Sequence, residues 1–258
     1  MDGYEKFKKD ILKLIDIDLS AYKEKQMKRR INSLASRNNF YNFDDYFKEL
    51  TKNKDLLREF VNYLTINVSE FYRNPVQWRV LEEKIIPEII KYRKTLKVWS
   101  SACSTGEEPY SLVMLLSNFF DIDKIDVLAT DIDKEAISKA KIGVYDKKSL
   151  KNLPCNFKNK YFKKIQNTYK INEEIKKRVT FKEINLLKEA YPKGYDLILC
   201  RNVMIYFTEE AKEKIYSRFY NSLNDEGVLF VGSTEQIIFP QKYNFKSEDT
   251  FFYKKGSL

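Results

Sequence analysis

The apolar residues of the first ninety positions recur at helical spacing. Met27, Ile31 and Leu34 stand at i, i+4 and i+7, which places them along one side of a helix. A similar pattern follows residue 45 and predicts a further helix, with Asp44 or Asp45 as its N-cap. Only one glycine occurs in this region. The pattern therefore predicts an all-helical N-terminal region.

The pattern changes near residue 96, where short apolar runs begin to alternate with helical segments. This alternation predicts a parallel α/β sheet. The predicted strands are Lys97–Ala102, Asp126–Asp131, Val179–Asn185, Tyr195–Cys200, Gly227–Gly232 and Phe251–Tyr253. The predicted helices between them are Pro109–Phe120, Lys134–Ile142 and Glu209–Leu223.

Residues 150–180 interrupt this alternation. They combine aromatic residues with many lysines, and no clear helical period precedes Glu173. We interpret the stretch as a small β-rich insertion. The predicted organisation is an all-helical domain over residues 1–75, followed by an α/β domain over residues 76–258 that carries the insertion at about 150–180.

The 258 residues include no histidine, which excludes several kinds of site. Ser-His-Asp and Cys-His catalysis, a histidine general base and histidine-bound zinc all require that side chain. Cys103, Cys155 and Cys200 are too scattered for a disulfide framework or a CxxC metal site. We interpret them as small buried residues near strand ends.

The formal net charge of +10 indicates an acidic partner, such as nucleic acid, an anionic membrane or an acidic protein surface. No stretch approaches the roughly 20 apolar residues that a membrane span needs. The first ten residues also lack the apolar core of a secretory signal. From this pattern we expect a cytoplasmic protein.

The loop Ser101–Glu108, after the first predicted strand, is the leading candidate for a ligand site. Ligands of doubly wound sheets bind where strands end, and this loop has small residues and Gly106, which allow a close backbone approach. It lacks GxGxxG and GxxxxGK[ST], which argues against a dinucleotide or a P-loop. The acidic pair Glu107 and Glu108 would repel phosphate and suits a cationic ligand.

Asp131 closes the second predicted strand, 25 residues after Gly106. An acidic residue at this position binds ribose hydroxyls in nucleotide-binding sheets. Asp133 is a candidate cap for the next helix, and the acidic pair after Gly106 could equally be residues that favour a helix N-terminus. The acidic pair after Gly106 and the acidic end of the next strand follow consecutive strands. This combination favours S-adenosylmethionine, whose ammonium and sulfonium groups are both positive.

Four longer strings together resemble the successive signatures of CheR-type chemotaxis receptor methyltransferases, and the resemblance extends to Gly232–Glu235. These strings are Asn67–Pro75 (NVSEFYRNP), Trp99–Ser111 (WSSACSTGEEPYS), Ala129–Asp133 (ATDID) and Cys200–Phe207 (CRNVMIYF).

This resemblance implies an all-helical domain followed by a Rossmann-like, S-adenosylmethionine-dependent methyltransferase domain with a small β-subdomain. It implies methyl transfer to glutamate carboxylates on the cytoplasmic helices of chemoreceptors, which forms methyl esters for sensory adaptation. Ser69 stands where threonine is commoner in the family and keeps the hydroxyl. The cofactor-binding residues that the resemblance implies are Asn67, Ser69, Arg73, Glu108, Asp131, Asn185, Leu186, Arg201 and Asn202. Position favours Glu108 over Glu107 as the partner of the methionine amine.

The implied chemistry agrees with a chain that has no histidine. A glutamate carboxylate has an ordinary pKa of about 4.3, so it is anionic at neutral pH and needs no base. We expect Arg73 and Tyr206 to lie nearest the reacting carboxylate, with Arg73 orienting it. Tyr206 could equally be a core-packing residue. We expect no metal ion.

The basic helix around Met27 is a candidate docking surface for acidic receptor helices, through Lys25, Arg29, Arg30 and Arg37. The alternative is an ordinary solvated face. Some family members bind a receptor C-terminal peptide through the β-subdomain, but the stretch from Phe162 to Val179 is short and has no glycine. We therefore expect direct recognition of the methylated helices.

We expect a monomer that neither binds nucleic acid nor inserts into a membrane. Two alternatives stay open from the sequence. The net charge is compatible with an RNA methyltransferase, although the aromatic and basic clustering that base stacking needs is confined to residues 157–169. The second alternative is a non-catalytic protein that binds S-adenosylmethionine and acts as a scaffold for receptors.

Overall fold

The computed structural model describes residues 3–65, 67–91 and 93–256. The chain divides into two compact units. The first comprises Met1–Ile66 and Val203–Ile215, and the second comprises Asn67–Asn202 and Tyr216–Leu258. The predicted domain boundary at residue 75 and the predicted limits of the insertion stay predictions.

The first unit is helical, as the apolar spacing predicts. Met27, Ile31 and Leu34 are all buried, because one side of their helix packs into the unit's core. The helices are α1 Tyr4–Ile15, α2 Glu24–Arg37, α3 Phe43–Lys52 and α4 Lys54–Leu64, with 3₁₀ turns at Leu19–Ala21 and Met204–Tyr206.

The N-cap predicted for α3 was wrong. The helix begins at Phe43, and the side chain of Asn42 accepts a hydrogen bond of 2.8 Å from the Asp45 backbone N–H. Asp44 and Asp45 instead lie in the first turn, where negative charge is favourable next to the positive end of the helix dipole.

The second unit is built on a seven-stranded sheet in the order β6-β2-β1-β7-β8-β10-β9. Its strands are β1 Lys97–Ser100, β2 Asp126–Asp131, β6 Val179–Glu183, β7 Tyr195–Cys200, β8 Leu223–Val231, β9 Phe245–Asp249 and β10 Phe252–Lys255. The first five in spatial order are parallel, and β10 is antiparallel to both of its neighbours. The Rossmann-like α/β class predicted from the sequence is confirmed.

Helices connect these strands. They are α5 Pro75–Val80, a π-helical turn Leu81–Ile85, α6 Ile86–Ile90, α7 Glu107–Leu116, α8 Lys134–Ile142, α9 Cys155–Tyr161, α10 Glu173–Lys176 and α11 Glu209–Ser222. The last of these belongs to the first unit up to Ile215 and to the second from Tyr216. Five of the six residues of β7 are buried, as expected for a strand covered on both faces.

A separate three-stranded sheet consists of β3 Val144–Asp146, β4 Phe162–Ile165 and β5 Thr168–Ile171, in the order β3-β5-β4. Helix α9 lies in the same stretch and was not predicted. It has only seven residues, and its two buried aromatics, Phe157 and Tyr161, are too few to show a period.

Three further details differ from the sequence prediction. Strand β8 begins four residues before Gly227, and β9 was not predicted because an edge strand with exposed charged residues lacks a clear apolar pattern. Cys103 and Cys200 are buried as predicted, but Cys155 is exposed at the start of α9. No helix in the described part of the chain combines the length and the apolarity that crossing a bilayer requires.

Candidate active site

Loops that follow the parallel strands form one edge of the sheet in the second unit. The chain runs outward from β1 to β2 and β6 on one side, and from β7 to β8 on the other. The direction therefore reverses between β1 and β7, which is the topological switch point where α/β sheets bind ligands. The candidate site is built from the residues that follow these strand ends.

The loop after β1 is held in shape by Asp131, the last residue of β2. One carboxylate oxygen of Asp131 accepts the backbone N–H of Ser104 at 2.7 Å, and the other accepts that of Asp133 at 3.0 Å. Gly106 has φ 94°, and a Cβ there would lie 2.8 Å from the Cβ of Ala140. Only glycine suits both the left-handed backbone and the close approach of α8.

Asn67 connects this loop to the start of α8. Its Nδ2 donates to an oxygen of Asp133 at 2.6 Å, and its Oδ1 accepts from the Ser104 hydroxyl at 2.9 Å. The other oxygen of Asp133 accepts the backbone N–H groups of Glu135 and Ala136. The predicted capping role of Asp133 is confirmed, and two residues predicted to bind the cofactor, Asn67 and Asp131, lie in one hydrogen-bond network.

Arg201, directly after β7, is a buried cation that joins several parts of the site. Its Nη1 lies 3.3 Å from Glu108 Oε2. Its Nη2 donates to the Arg73 carbonyl oxygen at 2.8 Å and to Gln77 Oε1 at 3.0 Å, with Asn74 Oδ1 at 3.4 Å. The structure therefore brings together Arg73, Glu108 and Arg201, which the sequence predicted as site residues.

Three carboxyl groups lie at the same strand ends, with Glu107 and Asp131 buried and Glu108 largely so. Burial raises the pKa of Glu107, Glu108 and Asp131 above the ordinary values of these groups. Hydrogen bonds and the charge of Arg201 oppose the rise at Glu108, and a hydrogen bond from Thr105 opposes it at Glu107. A cationic ligand would stabilise the ionised form of each carboxylate.

Glu107 and Glu108 have different surroundings. Glu107 Oε2 accepts from the Thr105 hydroxyl at 2.6 Å, and its carboxylate also interacts with the Ser69 hydroxyl. Glu108 Oε1 accepts from the Ser100 hydroxyl at 2.8 Å, and its other oxygen faces Arg201. Ser69 therefore contacts an acidic residue of the loop, whereas Glu108 shares its charge with a buried guanidinium.

Asn202 adopts a left-handed conformation, with φ 61°. Its backbone N–H and that of Gly232 both donate to Oε2 of Glu235, which is buried. A Cβ at Gly232 would displace this carboxylate and would lie 2.9 Å from the backbone nitrogen of Asn202, so the position favours glycine. Glu235 thereby joins the ends of β7 and β8.

Asn185 and Leu186 follow β6, further along the same edge of the sheet. The Asn185 backbone N–H donates to Glu189 at 2.7 Å, and its side-chain oxygen accepts from Leu187 N–H at 3.0 Å. Leu186 is buried, and its carbonyl oxygen accepts from Tyr191 at 2.7 Å. Their predicted contact with the cofactor stays a prediction.

Tyr206 lies in the first unit, in the 3₁₀ turn Met204–Tyr206. Its carbonyl oxygen accepts from the backbone N–H of Lys23 at 2.9 Å, and the next residue, Phe207, pairs with Tyr22. The half-buried side chain makes the packing interpretation and the catalytic one equally compatible with this environment. Its catalytic role stays a prediction.

The four predicted docking residues all lie on α2 but in two environments. Lys25, Arg29 and Arg37 are exposed. Arg30 is partly buried and donates to the Tyr63 carbonyl oxygen, and the guanidinium carbons of Arg30 and Arg37 lie 4.6 and 4.8 Å from the centre of the Tyr63 ring. Arg30 therefore has a structural role within the first unit.

The residues of the second unit fit S-adenosylmethionine. Its methionine part carries an ammonium and a carboxylate, and Glu108 and Arg201 present the two complementary charges side by side. The buried Nε of Arg201 has no hydrogen-bond partner among the residues that the structure describes, so this guanidinium retains an unused donor. The buried carboxylates at the strand ends suit ribose hydroxyls and exclude phosphate.

Several residues of the site were missed by sequence reasoning. Gln77 and Asn74 contact Arg201, Ser104 joins Asn67 to Asp131, and Glu235 holds Asn202. The sequence indicated Glu235 only as the last residue of the stretch that resembles the family. Nothing in the local pattern distinguished Gln77 from a surface residue of an amphipathic helix.

Comparison with known proteins agrees with this geometry. The family model for the SAM-binding domain of CheR methyltransferase matches residues 67–252, and that for the all-alpha domain of CheR methyltransferase matches residues 2–65. A chemotaxis protein methyltransferase of Listeria innocua is 42% identical over 253 residues, which is 98% of this chain and 97% of that protein. One of Borreliella burgdorferi is 33% identical over 235 residues, 86% of this chain and 83% of that protein.

Among solved structures, a TehB-like SAM-dependent methyltransferase of Corynebacterium glutamicum aligns with a TM-score of 0.40 and 14% identity, over 70% of this chain and 94% of that one. This likeness is too weak to bear on function. The family matches cover both units and the strand-end residues described above. The chain therefore belongs to the CheR methyltransferase family, and it is a chemotaxis methyltransferase that depends on S-adenosylmethionine.

Proposed function

We propose that the protein methylates glutamate side-chain carboxylates on the cytoplasmic helices of methyl-accepting chemotaxis receptors. The observation that carries this proposal is that arginines and acidic residues line the site in a chain without histidine. Such a site offers no imidazole as general base, so it suits an acceptor that is already anionic. The chemotaxis names of the Listeria and Borreliella relatives support a receptor as the acceptor.

The cofactor supplies a sulfonium-bound methyl group, which forms a bond to the acceptor oxygen while the S–CH₃ electron pair stays on sulfur in the product S-adenosylhomocysteine. In this proposal Glu108 binds the methionine amine and Asp131 binds the ribose. Asn67 and Ser69 support the loop beside them, through Ser104 and Glu107 respectively. Asn185, Leu186 and Asn202 complete the cofactor contacts.

Arg73 orients the acceptor carboxylate in this proposal. Its guanidinium is only partly buried, and its Nη1 donates to the Val68 carbonyl oxygen at 2.9 Å, which leaves further N–H groups for an incoming oxygen. Because the acceptor needs no deprotonation, catalysis rests on alignment, which can contribute roughly 7–11 kcal/mol. Tyr206 is proposed as the second polar residue near the acceptor.

Recognition of the receptor is proposed to use α2. Lys25, Arg29 and Arg37 are exposed, with Arg37 beside the Tyr63 ring, and the partly buried Arg30 supports the helix. An acidic receptor helix would be attracted to this face at low ionic strength. We propose that a monomer acts on these helices directly in the cytoplasm, without a metal ion.

One assay tests the acceptor class. The purified protein is incubated with methyl-labelled S-adenosylmethionine and either receptor-containing membranes, RNA or buffer. Base-labile label on the receptor, which is lost when the target glutamates are changed to alanine, is the expected result.

Label on RNA would select an RNA methyltransferase instead. Tight cofactor binding with no label on any acceptor would select a non-catalytic scaffold. Either outcome would contradict the proposed function.

A further inference from the structure

The backbone around Arg73 is held in an unusual conformation. Tyr72 and Asn74, on either side of it, have φ values of 52° and 62°. A left-handed conformation is costly for a residue as bulky as tyrosine, because the Cβ then lies too close to the following carbonyl oxygen. Such a conformation persists only where the surroundings over-determine it.

Two buried donors converge on the Arg73 carbonyl oxygen. The indole Nε1 of Trp78 donates to it at 3.0 Å, and Nη2 of Arg201 donates at 2.8 Å. Trp78 is 1% exposed and Arg201 is 6% exposed, so water does not compete for these bonds. Two buried hydrogen bonds therefore fix the peptide group that carries the Arg73 side chain.

Gln77 sets the direction of one of these donors. Its Oε1 accepts from Arg201 Nη2 at 3.0 Å, and the oxygen must face the guanidinium because arginine has only donors. Nη1 of the same guanidinium lies against Glu108. Gln77 thus fixes how Arg201 divides its donors between Glu108 and the Arg73 carbonyl.

Contacts between aromatic rings and the guanidinium hold the two donors, Trp78 and Arg201, in place. The Trp78 ring lies 4.8 Å from the Tyr72 ring, and the Arg201 guanidinium lies 5.8 Å from Trp78 and 4.5 Å from the Phe230 ring. The first turn of α5, with Pro75 at its start, places Gln77 and Trp78 on the side that faces Arg73. A short helix therefore presents both side chains at once.

We propose that Trp78 and Gln77 are positioning residues for methyl transfer, which aim the Arg73 side chain at the acceptor carboxylate. Neither residue needs to touch the cofactor or the acceptor. Trp78 acts on the Arg73 carbonyl directly, and Gln77 acts through Arg201. This inference rests on the proposed function, since it assigns Arg73 to the acceptor.

The test is a double-mutant cycle on the full-length protein. Trp78→Phe retains one aromatic ring and removes the indole N–H donor together with the five-membered ring that carries it. We expect kcat for receptor methylation to fall roughly tenfold in the wild-type background, which is about 1.4 kcal/mol. In an Arg73→Ala background the same change should have little further effect, because the residue that it positions is gone.

Trp99→Phe is the matched control. The Trp99 indole is also buried and donates a bond of 2.9 Å, but to the Thr130 hydroxyl and not to the Arg73 loop. Any loss of kcat that Trp99→Phe causes should be the same in the wild-type and the Arg73→Ala backgrounds. If the remaining activity of Arg73→Ala is too low to measure, Arg73→Lys provides the second background.

Gln77 is tested in the same way. Gln77→Ala should lower kcat roughly three- to tenfold, because one oriented hydrogen bond to a charged group is lost. Gln77→Glu retains an accepting oxygen and should recover part of the loss. The KM for S-adenosylmethionine should change less than kcat in both Trp78→Phe and Gln77→Ala.

Two failures are distinguishable. If wild-type protein places no label on receptors, the proposed function is wrong. If it does, but Trp78→Phe costs as much without Arg73 as with it, Trp78 has only a structural role and the positioning inference is wrong. Thermal unfolding of each variant confirms that the folded protein is being compared.

Discussion

At the scale of single residues, Arg201 contacts both a residue assigned to the cofactor and the residue assigned to the acceptor. One of its nitrogens faces Glu108, the residue assigned to the cofactor, and another holds the Arg73 carbonyl oxygen. Taking a guanidinium and a carboxylate out of water is costly unless they pair and find further hydrogen bonds. Gln77 and Ser100 provide such bonds to the two partners.

The first prediction concerns Arg73. Arg73→Ala should lower receptor methylation roughly a hundredfold, as misplacing a reacting group does, and leave the fold intact. Arg79→Ala is the matched control, because Arg79 is an exposed arginine of the following helix. Initial rates with labelled cofactor and thermal unfolding provide the measurements. Near-wild-type turnover in Arg73→Ala would remove this residue from the mechanism.

The second prediction separates Glu108 from Glu107. Glu108→Gln should raise the Kd for S-adenosylhomocysteine roughly ten- to a hundredfold, because a hydrogen bond between charged groups is lost. Glu107→Gln should raise it less. Calorimetry measures both values, and methylthioadenosine, which lacks the amino-acid part, should bind Glu108→Gln as it binds wild type. A larger effect in Glu107→Gln would reverse the assignment of the amine.

At the scale of elements, helix α2 divides its basic residues between structure and surface. Met27, Ile31 and Leu34 bury one side of the helix, and Arg30 is fixed on Tyr63. Lys25 and Arg29 point to solvent. The pattern of charges alone did not show this division, because Tyr63 is contributed by a different helix, α4.

The third prediction follows from that division. The double variant Lys25→Glu and Arg29→Glu should lower kcat/KM for receptor membranes several-fold at low salt, because encounter is electrostatically steered. The deficit should shrink as the Debye length falls to about 8 Å at physiological ionic strength. The same charge change at Lys9 and Lys13, two exposed residues of α1, is the control. An equal loss in both double variants would indicate a general charge effect without docking.

At the scale of the whole molecule, a chain without histidine has no imidazole that titrates near neutral pH, so the buried carboxyl groups matter most for how stability depends on pH. Burial raises the pKa of Glu107, Glu108 and Asp131 in the folded protein. The folded state then binds more protons than the unfolded chain. The stability that these three groups contribute is fully present below their unfolded pKa values of about 4 and is lost as the pH rises through the folded values.

The fourth prediction follows from this direction of the pH dependence of stability. The free energy of unfolding of the cofactor-free protein should fall as the pH rises from about 5, just above the unfolded carboxyl pKa values, and Glu107→Gln should flatten the slope. Glu210→Gln, at an exposed position of α11, should leave the slope unchanged. Urea unfolding at each pH measures this slope. A stability that rises across this interval would show that the buried carboxylates do not dominate.

Much of the fold could be predicted because its determinants are local. The stripe of Met27, Ile31 and Leu34 shows its helical period within eight residues, and the apolar run of β7 marks a strand buried on both faces. The short α9 and the charged edge strand β9 escaped prediction, since neither is long or apolar enough to show a period.

Sequence by itself determined the α/β order of the elements, the acidic loop Ser101–Glu108 and the absence of a histidine base. Tertiary structure alone decided that Arg201 pairs with Glu108, that Gln77 and Trp78 converge on Arg73, and that Arg30 serves the core of the first unit. The physical reason is separation along the chain. Gln77 on α5 and Arg201 after β7 are 124 residues apart, and only the folded chain brings their side chains within a hydrogen bond of each other.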